Sequence, residues 1–178
     1  MLLAGYTARD DIEATDLARI RDMLAVTDDP FHRSTPLHLT ASALIVHPPT
    51  GRVLLRWHER QQAWLQVGGH ADPGETDLLA VALREAREET GLADLKPWPT
   101  ADPVHVVIVP VRAKGDEPAH EHADIRYVLA TADPETAVPE TEAARLRWLS
   151  VDEAAAATQP NVAETIRRIA SMPDQPSP

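Results

Sequence analysis

The chain has 178 residues, enough to bury one hydrophobic core, and its apolar stretches are broken by charge or proline before they reach membrane-spanning length. A formal net charge of −11 argues against a general nucleic-acid binder, which needs a basic surface, but is compatible with a small phosphorylated substrate handled through divalent ions. With no cysteine there is no disulfide, thiolate metal site or cysteine nucleophile; Met-Leu-Leu-Ala-Gly-Tyr has no basic region and too short an apolar run for a signal peptide, so a cytoplasmic location is expected.

Ile12, Leu17, Ile20 and Leu24 recur near helical spacing and predict an amphipathic helix over residues 8–26, capped by Thr7 and ended by Asp28-Asp29-Pro30. It makes residues 1–36 an N-terminal helical extension, packed on the core or in a homodimer interface. Thr40–His47 and Arg52–Trp57 read as a hairpin turning at Pro48-Pro49-Thr50-Gly51, and Trp64–Val67 as a short strand feeding Gly68-Gly69. A helix follows over Asp77–Thr90, with Leu79, Ala82, Leu83 and Ala86 toward the core and Gly91 as a left-handed cap. Val104–Val111, Asp124–Thr131 and Arg145–Leu149 are further strands. Val151–Ala157 and Asn161–Ala170 are helices, the second opening on a capping-box-like Asn161 and Glu164. Residues 173–178 are expected to fray. Strands mixed with helices on both sides predict an α/β fold, an α/β/α sandwich with a mixed sheet, over residues 37–172.

Within Arg84-Glu85-Ala86-Arg87-Glu88-Glu89-Thr90-Gly91, three carboxylates stand at i, i+3 and i+4 on one helix face. Crowded carboxylates raise each other's pKa unless a cation sits among them, and an oxygen-only set suits Mg²⁺ or Mn²⁺. The preceding glycine loop brings backbone groups to the helix start, where phosphate oxygens are favoured. A glutamate pair on a helix is ordinarily a solvated face, but that reading leaves the glycine pair and Arg84 without a reason.

This stretch resembles the Nudix box. Gly69, Glu75, Arg84, Glu85, Ala86, Glu88, Glu89, Gly91 and Leu92 fall on its named positions. The sequence departs from the pattern in two places. Eight residues instead of seven separate Glu75 from Arg84, the extra one near Thr76-Asp77, and Val67 stands where proline commonly precedes the glycines. The resemblance implies the Nudix version of the sandwich and a metal-dependent hydrolase that cleaves a diphosphate linkage in a nucleoside diphosphate derivative or nucleoside triphosphate. It implies Glu85, Glu88 and Glu89 as catalytic metal ligands, with the Gly69 carbonyl as a further ligand, and Arg84 as a structural residue whose partner is Glu75. The general base comes from the box or from a later loop, where Glu142 is favoured over Glu140.

Outside the box, His70 follows the glycines and is expected near the substrate, with Arg56 and Arg60 as phosphate candidates. His120, His122, Asp124 and Arg126 alternate and so share one strand face. Read functionally they bind phosphates or a metal, with Arg126 on the substrate; the simpler reading is a solvent-facing strand edge. Trp57 and Trp64 stack a base or pack the core, and Pro97-Trp98-Pro99 lies near enough to the box to shape a pocket. Two other functions compete. An isopentenyl-diphosphate-isomerase-like enzyme would use His32, His38 and His70 around a metal, but looks to a cysteine this chain lacks. A non-catalytic nucleotide-sensing Nudix-like domain usually loses box carboxylates, and this chain keeps all three.

Overall fold

The computed structural model describes residues 2–172; the segment 173–178, expected to fray, lies outside the described residues. Among the described residues eight strands form one mixed sheet: β1 (Leu37–His47), β2 (Arg52–His58), β3 (Ala63–Leu65), β4 (Val67–His70), β5 (Lys96–Pro97), β6 (His105–Val111), β7 (His120–Ala130) and β8 (Leu146–Ser150). Helices α1 (Asp11–Val26) and α2 (Leu78–Thr90) cover one face, and α3 (Val151–Ala157) and α4 (Pro160–Ala170) the other. This is the α/β/α sandwich that the sequence predicts. No described helix is long and apolar enough to cross a membrane.

The central pair is β1 and β7, parallel from Leu37↔Glu121 to Val46↔Ala130. Parallel strands are covered on both sides, and β1 is accordingly buried from His38 to Val46. Its alternation assigns the two cores. Leu39, Ala41, Ala43 and Ile45 face α1 and α2, whereas Leu44 and Val46 face α3 and α4. The other edge of β1 is divided: Ile45–His47 pairs with β2, and Thr40–Ala43 pairs with β4. The sheet therefore forks, and the polar half of the second face, beginning at His38, Thr40 and Ser42, lies beside the fork.

Several elements differ from expectation for local reasons. The cap of α1 is Asp10, whose carboxylate accepts from the Glu13 N–H, so the helix begins after the predicted Thr7 cap. The capping box belongs to Ser150 and Glu153 at the start of α3, while Glu164 instead pairs with Arg167 and Arg168. In α2 the buried residues are Leu78, Val81, Ala82, Ala86 and Thr90; Leu79 and Leu83 are only partly covered.

Around the β6 edge, Arg168 of α4 ties α1 to the sheet, with 2.8 Å contacts to both Glu13 and Asp10. Burial alone would raise the pKa of Glu13. Bonds from Tyr6, the Arg9 and Val106 N–H groups and Arg168 hold it below the usual range instead. Losing one partner of such a buried pair typically costs about 3–5 kcal/mol, so the N-terminal helix is a fixed part of the fold.

Candidate active site

The α2 helix opens on Asp77, whose carboxylate accepts from the Leu79 and Ala80 N–H groups. The extra residue of the box therefore falls in the link before the helix, and Glu75 still reaches Arg84. Arg84 Nε donates to both Glu75 oxygens at 3.0 and 3.2 Å, and Nη2 to Oε2 at 2.8 Å. Nη1 binds Glu85 and Glu88, each at 3.0 Å, and Nη2 also reaches the His70 carbonyl at 2.9 Å. One guanidinium thus joins three carboxylates to the backbone of β4. Hydrogen bonding to Arg84 holds Glu75 below the usual carboxylate range.

Gly69 allows α2 to lie directly on β4, and Gly68 allows β4 to lie close against β1. A Cβ at Gly69 would sit 2.7 Å from the Glu85 carboxylate, and one at Gly68 would sit 2.5 Å from the Ala41 carbonyl oxygen. Gly68 also has φ +144, a conformation side chains rarely adopt, and its N–H donates to Glu89 Oε2 at 3.1 Å. Glu89 meets Arg56 Nη1 at 3.3 Å, and Arg56 Nη2 reaches Glu140 at the same distance. Burial pushes Glu89 up to about 7 despite Arg56 and the Gly68 N–H. Glu85 is likewise raised by burial, which outweighs its bond to Arg84. Two arginines thus hold apart three carboxylates, two of which resist ionisation: the electrostatic condition a divalent cation relieves. Hard oxygen donors and a glycine whose missing Cβ leaves room at Glu85 fit Mg²⁺ or Mn²⁺.

On the opposite side of β4 lies a cleft of about 840 Å³, lined by Thr40, Ser42, Gln66, His70, Asp124 and Asn161 among others. A smaller recess beside Arg56, reaching Thr141, Ala143 and Ala144, shares His58 and Arg60 with it. The face carrying His120, His122, Asp124 and Arg126 is no strand edge, because β7 lies between β1 and β6. Asp124 accepts from Ser42 at 2.6 Å, Thr40 at 3.1 Å and Arg126 Nε at 2.8 Å. Burial would raise its pKa, but Arg126 and these hydroxyls hold it low.

Arg126 borders the cleft with Nη1 already bound to the Asn161 carbonyl and Thr165, so only part of its fork is free of protein partners. Glu142 is exposed and has no ion pair or side-chain hydrogen bond among the described residues, whereas Glu140 is tied to Arg56. Arg60 is paired with Glu117, and His32 bonds Ser34 away from the other histidines. Trp57 and Trp64 meet edge to face beneath Arg145, and Trp64 packs against the core under α3 and α4. Trp98 packs into the core under α3 and α4 and does not line the cleft. Sequence reasoning passed over Thr40, Ser42 and Gln66. Two polar residues at period two in an otherwise apolar strand were the available signal.

Two outcomes follow from this geometry. Gly69→Ala should fold with near-normal stability, because the Glu85 side chain can swing away, yet lose metal affinity; Gly68→Ala should be strongly destabilised against fixed backbone. Urea melts with and without Mn²⁺ measure both, and equal stability of the two variants would refute the packing described. Protonated Glu89 stabilises the metal-free fold fully below its ordinary 4.5, and that contribution is lost as pH rises through about 7. In EDTA the wild type should therefore lose stability from pH 5 to 8 relative to Glu89→Gln, by on the order of 3 kcal/mol. Parallel pH profiles for the two proteins would contradict it.

Comparison with known proteins assigns this architecture. The profile of the NUDIX domain matches residues 36–169. A probable DHNTP pyrophosphohydrolase of Lactococcus lactis subsp. cremoris is 32% identical over 104 residues, 58% of this chain; the chain spans 60% of that relative's length. The structure of the E. coli dihydroneopterin triphosphate pyrophosphohydrolase superposes with a TM-score of 0.58 at 22% identity, covering 73% of this chain and 92% of that one. A C. elegans Ap4A hydrolase complex gives 0.59 at 20% identity, over 75% and 95%. At those identities the two structures speak for the fold alone. The family profile, covering β1 to α4 with the glycine pair and Arg84 cluster inside it, shows that this chain belongs to the NUDIX family.

Proposed function

We propose that the protein is a metal-dependent pyrophosphohydrolase that cleaves a phosphoanhydride bond in a nucleoside triphosphate or nucleoside diphosphate derivative. The metal is Mg²⁺ or Mn²⁺, held by Glu85, Glu88, Glu89 and the Gly69 carbonyl. The observation that carries this reading is the Arg84 fork, which binds Glu75, Glu85, Glu88 and the His70 carbonyl at 2.8–3.2 Å. A sensor that has abandoned catalysis has no need for so organised a carboxylate face.

When bound, the ion neutralises phosphoryl oxygens and makes a water more acidic. The chain's own residues supply position and proton transfer. Arg56, which stands between Glu89 and Glu140, would offer its guanidinium to a phosphate bound beside them. Glu140 is our candidate base in place of Glu142, because its carboxylate is the one joined to this network. The cleft beyond β4 takes the rest of the substrate, with His70 and Arg126 on its wall. Gln66 and Asn161 line the same cleft, and each keeps a buried amide oxygen without a protein partner among the described residues. Acceptors there suit a heterocycle bearing N–H groups, and leaving them unmet costs about 1–3 kcal/mol each. The 32% identical relative, named for a pyrophosphohydrolase of DHNTP, supports starting with heterocyclic triphosphates.

The test is product release from dihydroneopterin triphosphate, nucleoside triphosphates, nucleotide sugars and dinucleoside polyphosphates with Mg²⁺, Mn²⁺ or EDTA. Metal-dependent release from one class is expected. Glu88→Gln should lower kcat by on the order of 10²–10³-fold or more with an unchanged melting temperature, since the side chain is exposed. Near-wild-type turnover in this variant would refute the site.

A further inference from the structure

Three strands that meet at the fork bring four imidazoles together: His38 from β1, His70 from β4, and His120 and His122 from β7. Among the described residues, His38, His70 and His122 are the group whose ligand atoms all lie within 4.8 Å of one another. We propose that His38, His70 and His122 form a binding site for a zinc-class divalent ion, separate from the glutamates of α2 and with its fourth coordination position open to the cleft.

Ring orientation carries the first part of the case. His38 Nδ1 lies 2.7 Å from the Thr35 carbonyl, which can only accept, so Nδ1 bears the proton and Nε2 presents its lone pair. That Nε2 is 3.1 Å from His70 Nε2. A tetrahedral ion with bonds of about 2.0–2.1 Å places neighbouring nitrogens about 3.3 Å apart, close to this spacing. The His38–carbonyl bond is also the outer contact that typically fixes a metal-binding imidazole. His120 repeats the arrangement behind His122: its Nδ1 donates to the Pro118 carbonyl at 3.0 Å, and its Nε2 lies 3.1 Å from His122 Nε2.

Placement carries the second part. Neighbouring residues of a strand point to opposite faces, so Gly69 meets Glu85 on one side of β4 while the His70 ring lies on the other. The two ligand sets therefore do not share side chains. They also differ in chemistry: carboxylates take Mg²⁺ or Mn²⁺, whereas imidazoles suit zinc, copper or nickel. His70 and His122 line the cleft and His38 is buried behind them, which leaves the open side of the trio toward the substrate space.

Tag-free protein is equilibrated with Zn²⁺ in excess Mg²⁺, and bound metal is counted by mass spectrometry. One zinc per chain is expected, retained by a Glu85→Gln/Glu88→Gln variant and weakened at least about 100-fold by His122→Gln or His70→Asn, since even losing an outer contact typically costs 10–100-fold. Zinc should raise the melting temperature of the wild type and leave that of His122→Gln unchanged. Should the histidine variants unfold, Co²⁺ in the wild type decides alone. The intense visible absorption of four-coordinate Co²⁺, abolished by Zn²⁺ but not by Mg²⁺, supports the site. No retained zinc, zinc retained equally by the histidine variants, or Co²⁺ that is only six-coordinate or displaced by Mg²⁺ would overturn it, leaving a plain imidazole hydrogen-bond network.

Discussion

Nearly everything proposed for this molecule depends on one guanidinium. Arg84 is a helix residue whose fork reaches Glu75 in the loop before the helix, Glu85 and Glu88 on the helix, and the His70 carbonyl on β4. The planar, permanently charged head makes these contacts together, which a lysine's point charge cannot do. Remove it and three carboxylates lose both their shared cation and their tether to the strand. The glycine pair is the second half of the same constraint: without a Cβ, Gly69 leaves room for the Glu85 carboxylate and Gly68 for the β1 backbone, while the Gly68 N–H donates to Glu89.

The fork in the sheet places this cluster next to a substrate space. Since β1 gives one edge to β7 and divides the other between β2 and β4, the β4 backbone becomes a thin wall. On one side stand the acidic residues of α2; on the other lie the cleft, the buried Asp124–Arg126 pair and the imidazoles. Residues adjacent in sequence, Gly69 and His70, thereby serve opposite faces.

Much of the fold was legible locally. The hairpin at Pro48–Gly51, the box helix with its Gly91 cap and the helices after residue 150 follow from periodicity and turn chemistry. The face of β7 was not. Its alternating His, Asp and Arg residues look like a wetted edge until His38, Thr40 and Ser42, more than eighty positions earlier, are laid beside them in parallel. Period-two patterning says which residues share a face but not what covers it. For the candidate site, box spacing named the residues that meet around Arg84. It could not show that Arg56 would bridge Glu89 to Glu140, nor that Glu142 would stand apart, because those contacts join a hairpin to a distant loop.

The most direct test of this account is Mn²⁺ binding to Arg84→Lys, followed by electron paramagnetic resonance. The variant keeps the charge and discards the fork. Mn²⁺ affinity should fall at least about tenfold, as it does when an outer contact to a metal ligand is lost, while the fold is retained. Wild-type affinity in this variant would mean that the carboxylates organise themselves, contradicting the central place given to Arg84.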